Sequence, residues 1–147
     1  MKIDKEIFSE MVNFYGDVFH IPPLAAKIYA YLIFDFERKG VCFDKFVDVF
    51  SASKSSVSSN LNLLLNLNII NDFNKIDERK RFFVMNENFM KIRFEEIIEK
   101  MERELSILHN LKDFRNTSDE SALRKFEIYT RLFNKNITNI KETLPQL

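Results

Sequence analysis

Apolar residues along this chain recur with helical spacing, broken once by two short β-favouring runs. Over 4–19, Ile7, Met11, Phe14 or Tyr15, and Val18 recur at i, i+4, i+7 and i+11. That stripe predicts an amphipathic helix. Pro22-Pro23 stops it and starts a second helix over about 23–38, since proline is tolerated in a first turn. Leu24, Ile28, Tyr31, Leu32 and Phe36 are its apolar positions, and Gly40 its expected terminator. A short third helix from Phe43 to Phe50 would turn Phe46, Val47 and Phe50 inward, with Ser51-Ala52 as the turn after it. Ser53 is then a good N-cap, because its hydroxyl can accept from the free N–H groups of the next turn. Along 54–67, Val57, Leu61 and Leu64 fall at i, i+4 and i+7, and Leu65 widens that face.

The segment 69–86 changes period. Ile69-Ile70 and Phe82-Phe83-Val84 are β-favouring ends around a polar centre, 72–81, which predicts a hairpin. Two long helical patterns finish the chain. In 87–112, Met90, Phe94, Ile97, Met101, Leu105, Leu108 and Leu111 keep i+3/i+4 spacing. In 119–144, Leu123, Phe126, Tyr129, Phe133, Ile137, Ile140 and Leu144 do the same, and Asn116-Thr-Ser-Asp119 supplies the break and an N-cap. Such stripes exceed what one small domain can cover, so they need each other or a second copy. The expectation is a homodimer held by Phe94, Ile97, Met101, Leu105 and Leu108 with Phe126, Tyr129, Phe133, Ile137 and Ile140, helped by helix 4–19. The chain divides accordingly into 1–86 and a helical dimerisation region, 87–147.

Composition sharpens this to a mainly α protein. Two glycines and three prolines are far below the roughly 17 that average usage gives for this length, so tight turns are few. Lys plus Arg balance Asp plus Glu at 22 each, and a strong overall basic footprint is therefore missing. The single Cys42 fits a reducing compartment. Met1-Lys-Ile-Asp-Lys-Glu6 lacks the apolar core of a signal peptide, and no apolar run approaches the ~18 residues of a membrane span. A cytoplasmic protein with no membrane partner is expected. Asn116-Thr-Ser118 and Asn136-Ile-Thr138 match glycosylation sequons that carry no information in that setting.

Candidate chemistry concentrates in Ser53–Asn68. A helix that enters a DNA major groove presents short polar groups at its N-terminal end and keeps an apolar face for docking. Lys54, Ser55, Ser56, Ser58, Ser59, Asn60 and Asn62 meet this description. Serine and asparagine can bond bases or phosphates, and serine is a mediocre helix former to spend on a merely exposed face. The bland alternative is an ordinary amphipathic helix with a solvated polar side. About a dozen residues on, Arg79, Lys80 and Arg81, with Lys75 nearby, occupy the hairpin tip, where basic residues of a β-wing reach the minor groove or flanking phosphates. Asp77 and Glu78 weaken that field. Between Ser51 and Asn86, five cations oppose three anions, a local charge of +2. The pattern is that of a winged helix-turn-helix domain: recognition helix, then wing.

Nothing assembles a catalytic site. His20 and His109 lie far apart without zinc-ligand spacing, and Gly16 and Gly40 make no phosphate-cradling loop. Glu95, Glu96 and Glu99 near Lys100 and Arg103 look like surface ion pairs. Cys42 has no resolving cysteine. No enzyme activity, cofactor or metal is expected. The aromatics Tyr15, Phe19, Tyr29, Tyr31, Phe34 and Phe36 would line an effector pocket or pack a core, and core packing is the simpler reading.

Three segments together, His20-Ile-Pro-Pro-Leu-Ala-Ala-Lys-Ile-Tyr-Ala-Tyr-Leu32, Ser53-Lys-Ser-Ser-Val-Ser-Ser-Asn-Leu61 and Arg79-Lys-Arg-Phe-Phe83, resemble the GbsR-type branch of the MarR-like transcriptional regulators. The similarity covers roughly residues 7–86; the C-terminal helices match only in kind. It implies a winged-helix DNA-binding domain, a homodimer held by terminal helices, and repression of a nearby operon through a double-stranded operator, in some members relieved by a small-molecule effector. Four positions depart from the family pattern. Ser59 and Asn62 stand where Arg or Lys is frequent, Asn68 where Gly is usual, and Ala26 where Gly is common. Asparagine is the residue next most able to adopt the left-handed conformation that position 68 needs. The uncharged recognition helix favours an alternative function of another class: a protein–protein adaptor on a winged-helix scaffold that no longer grips DNA.

Overall fold

The computed structural model describes all residues, 1–147. They form two compact units, Met1–Phe89 and Met90–Leu147. In chain order the elements are α1 (Lys5–Val18), α2 (Pro23–Ile33), β1 (Val41–Cys42), α3 (Phe43–Phe50), α4 (Lys54–Asn66), β2 (Ile70–Asn74), β3 (Arg81–Met85), α5 (Phe89–Arg115), α6 (Glu120–Thr143) and a closing 3-10 turn, Leu144–Gln146. The first unit is a winged helix-turn-helix fold.

Four of the six helix starts have a local cause. Asp4 accepts from the Glu6 and Ile7 amides at 3.0 and 2.9 Å, Ser53 from Ser56 at 3.1 Å and Asp119 from Ser121 at 2.9 Å. Pro23 opens α2. The turns between elements use left-handed residues: His20 after α1, Ser51 after α3, Asn68 after α4 and Asn116 after α5. Asn68, at φ 58°, takes the conformation expected of it.

Three strands form an antiparallel sheet in the order β1-β3-β2. Val41 pairs with Phe83, and the β2–β3 hairpin runs in register from Ile70–Met85 to Asn74–Arg81. β1 was not expected; two residues are too short to leave a period in sequence. The core lies between α2, α3, α4 and the sheet. Ile28, Phe46, Val57, Leu64, Ile69, Ile70 and Phe83 are buried there. Except for Phe36, the aromatics pack in or around it: Phe46 meets Tyr31 and Phe83 at ring distances of 6.1 and 6.2 Å, and Tyr15, Phe19, Tyr29 and Phe89 contact one another edge-on or stacked.

One expectation needs correction, and α1 needs a closer description. The inward face of α1 is Phe8, Val12 and Tyr15, continued by Phe19; Ile7, Phe14 and Val18 are exposed within the chain. Helix α1 carries two apolar stripes; Met11 and Tyr15 of the expected one are half-buried, and its other members are exposed. Helix α2 stops at Ile33, not 38. There the carboxylate of Asp35 accepts from the Lys39 and Gly40 amides at 3.2 and 2.8 Å, Arg38 turns left-handed, and Phe36 is left in solvent. An Asx-type loop competes with the last helical turn and wins.

In the second unit α5 and α6 form an antiparallel pair. Lys141 Nζ lies 2.6 Å from Glu102 Oε1, and the His109 ring stands edge-on to Phe126 at 5.1 Å. No helix is long and apolar enough to cross a membrane.

Candidate nucleic-acid interface

Helix α4 is pinned by Val57, Leu61 and Leu64, all buried. At 100° per residue the opposite face must then carry 55, 58, 59, 62 and 66. Ser55, Ser58, Ser59, Asn62 and Asn66 are indeed all exposed, as is Lys54 at the helix start. This face is polar and, beyond Lys54, uncharged.

Two predicted contact residues are occupied with their own helix. Ser56 belongs to the cap: its amide donates to Ser53 Oγ at 3.1 Å, and its hydroxyl accepts from Ser53 at 2.9 Å. Asn60 donates from Nδ2 to the Ser56 carbonyl at 2.7 Å, and its Oδ1 is buried without a partner. Asn60 borders the core side, between the angular positions of Val57 and Ser56. Asn66 is exposed one turn beyond Asn62 on the same face.

The wing is the β2–β3 hairpin with residues 75–80 as its tip. Its four cations have different surroundings. Arg81 Nε lies 2.6 Å from Asp72 Oδ2, with its guanidinium 5.1 Å from the Phe83 ring. Lys75 is half-buried, its Nζ 4.0 Å over the Phe82 ring. Arg79 and Lys80 are exposed, and neither forms an ion pair. Beside them Ile76 is wholly in solvent. Nothing in the helical or strand period marks Ile76, since the tip belongs to neither.

The base of the wing is fixed from both sides. Asn86, buried, donates to the Asn68 carbonyl at 2.8 Å and so ties the end of β3 to the turn after α4. Arg38 donates to the Met85 carbonyl at 3.1 Å and pairs with Glu87 at 3.0 Å. Gly40, at φ +81°, lies so close to the wing that an added Cβ would sit 2.7–2.9 Å from Phe73 and Phe82. These three tie points join residues up to 47 apart, which no local pattern announces. They hold the hairpin at a fixed angle to α4. Such a surface, short neutral polar groups on a helix beside a basic hairpin tip, can donate to and accept from base edges and meet phosphates at Arg79 and Lys80.

In the second unit, Ile137 is buried. Phe94, Ile97, Met101, Leu105, Leu108, Phe126, Phe133 and Ile140 are half-buried, and Tyr129 is exposed. Ile107, Leu111, Phe114, Ile128 and Leu132 are also exposed, so two paired helices leave much apolar surface uncovered.

A crystal structure of a transcriptional regulator is similar to this chain, with a TM-score of 0.58 at 14% sequence identity, over 96% of this chain and 95% of that one. That likeness extends to the fold. Two structures of mutant MepR from S. aureus, one from a multidrug-resistant clinical isolate, align with TM-scores of 0.46 at 16% and 15% identity, over 88% of this chain and 89% and 90% of theirs. No protein-family model matches the chain, and no curated protein matches it.

Proposed function

We propose that the chain is a sequence-specific DNA-binding transcriptional regulator of the MarR-like kind, in its GbsR-type branch, acting as a homodimer and as a repressor in the cytoplasm. The observation that carries this reading is the pairing of α4, with its exposed face of Ser55, Ser58, Ser59 and Asn62, and a wing whose Arg79 and Lys80 are free. Residues 1–86 form the DNA-binding domain and 87–147 the dimerisation region. The uncovered apolar surface of α5 and α6, with Ile7, Phe14 and Val18 of α1, supports dimerisation. Two recognition helices then meet successive major grooves about 34 Å apart on a pseudo-palindromic operator. The sequence resemblance supports a small-molecule effector as a further partner. Gel-shift binding to the DNA upstream of its own gene tests the reading: a discrete, salt-sensitive complex is expected, and none with any fragment of that region refutes it.

One observation favours the adaptor reading instead. Residues 1–89 hold eleven Lys and Arg against twelve Asp and Glu, and Asp72 neutralises one wing cation. Under that reading the wing and α4 bind a protein, and removing both Arg79 and Lys80 leaves DNA association unchanged at zero.

A further inference from the structure

We propose that the sites recognised are directed to A·T base pairs in both grooves; this rests on the DNA-binding reading above. In the major groove, bidentate recognition of guanine uses the donor forks of Arg or Lys against O6 and N7, whereas Asn or Gln is bidentate to adenine N6 and N7. The exposed face of α4 has no Arg or Lys after Lys54. Its two amides are Asn62 and Asn66, both exposed and neither held by another side chain, while Asn60 is withdrawn into a bond with Ser56. Serine hydroxyls bond any base and do not offset this bias. Beyond Lys54 the face lacks the donor fork that selects guanine, and it carries two amides suited to adenine.

The wing points the same way. Arg79 is free to enter the minor groove, because the Asp72 carboxylate engages Arg81 and not Arg79. A guanidinium is all donor. The A·T minor-groove floor is all acceptor, whereas G·C adds the guanine N2 donor. A-tracts also narrow that groove and deepen its negative potential, which attracts arginine. Ile76, wholly exposed at the same tip, is the kind of apolar side chain that wedges against a base step. Such a wedge is least costly at a flexible TA step.

The test uses the full chain. Selection from a randomised duplex library is followed by polarisation on the winning duplex and on versions with modified bases. The expected half-site is A·T-dominated. Replacing adenine with 2,6-diaminopurine under the wing adds an amino group to the minor groove alone, and is expected to weaken binding about tenfold. Asn62→Arg is expected to move the preferred major-groove base from adenine to guanine. A G·C-dominated half-site bound with ordinary salt sensitivity overturns this inference and leaves the regulator reading standing. Indifference to diaminopurine overturns the minor-groove half, and an unchanged adenine preference in Asn62→Arg, folded by circular dichroism, overturns the major-groove half. Binding to no duplex at low salt overturns the regulator reading itself.

Discussion

Arg81 and Asp72 are diagonal neighbours on one face of the wing, and their side chains meet at 2.6 Å. Arg81, expected from sequence to grip DNA, is thereby partly neutralised at about half exposure. Arg79 and Lys80 are not. Alanine at Arg79 is expected to weaken DNA binding and to flatten the salt slope by about two in a dimer, since one groove-bound cation per subunit no longer neutralises the flanking phosphates. Arg81→Ala should change the slope less. Polarisation titrations across salt concentration compare them; an equal effect of the two substitutions contradicts the assignment.

The neighbouring amides Asn60 and Asn62 should behave oppositely. Asn60 has a buried acceptor with no partner, and removing such a group relieves an uncompensated cost of about 1–3 kcal/mol. Asn60→Leu is expected to hold or raise the melting temperature and leave DNA affinity within about twofold, a change no larger than those of ordinary surface substitutions. Asn62→Ala should leave stability unchanged and lower affinity by about 1–3 kcal/mol, the worth of one bidentate base contact. Thermal melts and titrations of both variants check the contrast.

Much of this was legible in the chain. Val57, Leu61 and Leu64 announced α4 and its buried side, Ser53 its cap, and Asn68 the turn after it. The three-element pattern of helix, turn and hairpin gave the winged-helix fold. What could not be read depended on pairs distant in sequence. The stripe Ile7–Val18 and the stripe Phe8–Phe19 are equally periodic, and only the presence of α2 decides which is buried. The bond from Asn60 to the Ser56 carbonyl, four residues back, is a side-chain conformation that the sequence does not announce. The wing cations looked alike until Asp72 and Phe82 were placed beside two of them.

Gly40 should tolerate no side chain. Its positive φ and the Phe73 and Phe82 atoms within 3 Å of an added Cβ combine strain with overlap. Gly40→Ala is expected to cost at least about 1 kcal/mol, beyond the usual loss for alanine at a left-handed site. Because it lies against the wing, DNA affinity should fall with stability. Denaturant unfolding gives the first quantity and titration the second.

Phe46 is the keystone of the first unit, fully buried between Tyr31 and Phe83. Phe46→Ala is expected to destabilise by about 3–5 kcal/mol through lost burial and the cavity left behind. A loss below about 1 kcal/mol in urea unfolding would mean this core is not packed as described.

The most direct test of DNA recognition by a dimer is the salt dependence of binding to the DNA upstream of the gene, measured by polarisation. Lys54, Arg79 and Lys80 are the exposed cations of the proposed surface without ion pairs. Two copies bring six cations to the DNA, and the expected slope of log affinity against log salt is about −5. Saturable binding with a slope near that value supports the account. No saturable binding to any fragment at low salt contradicts it.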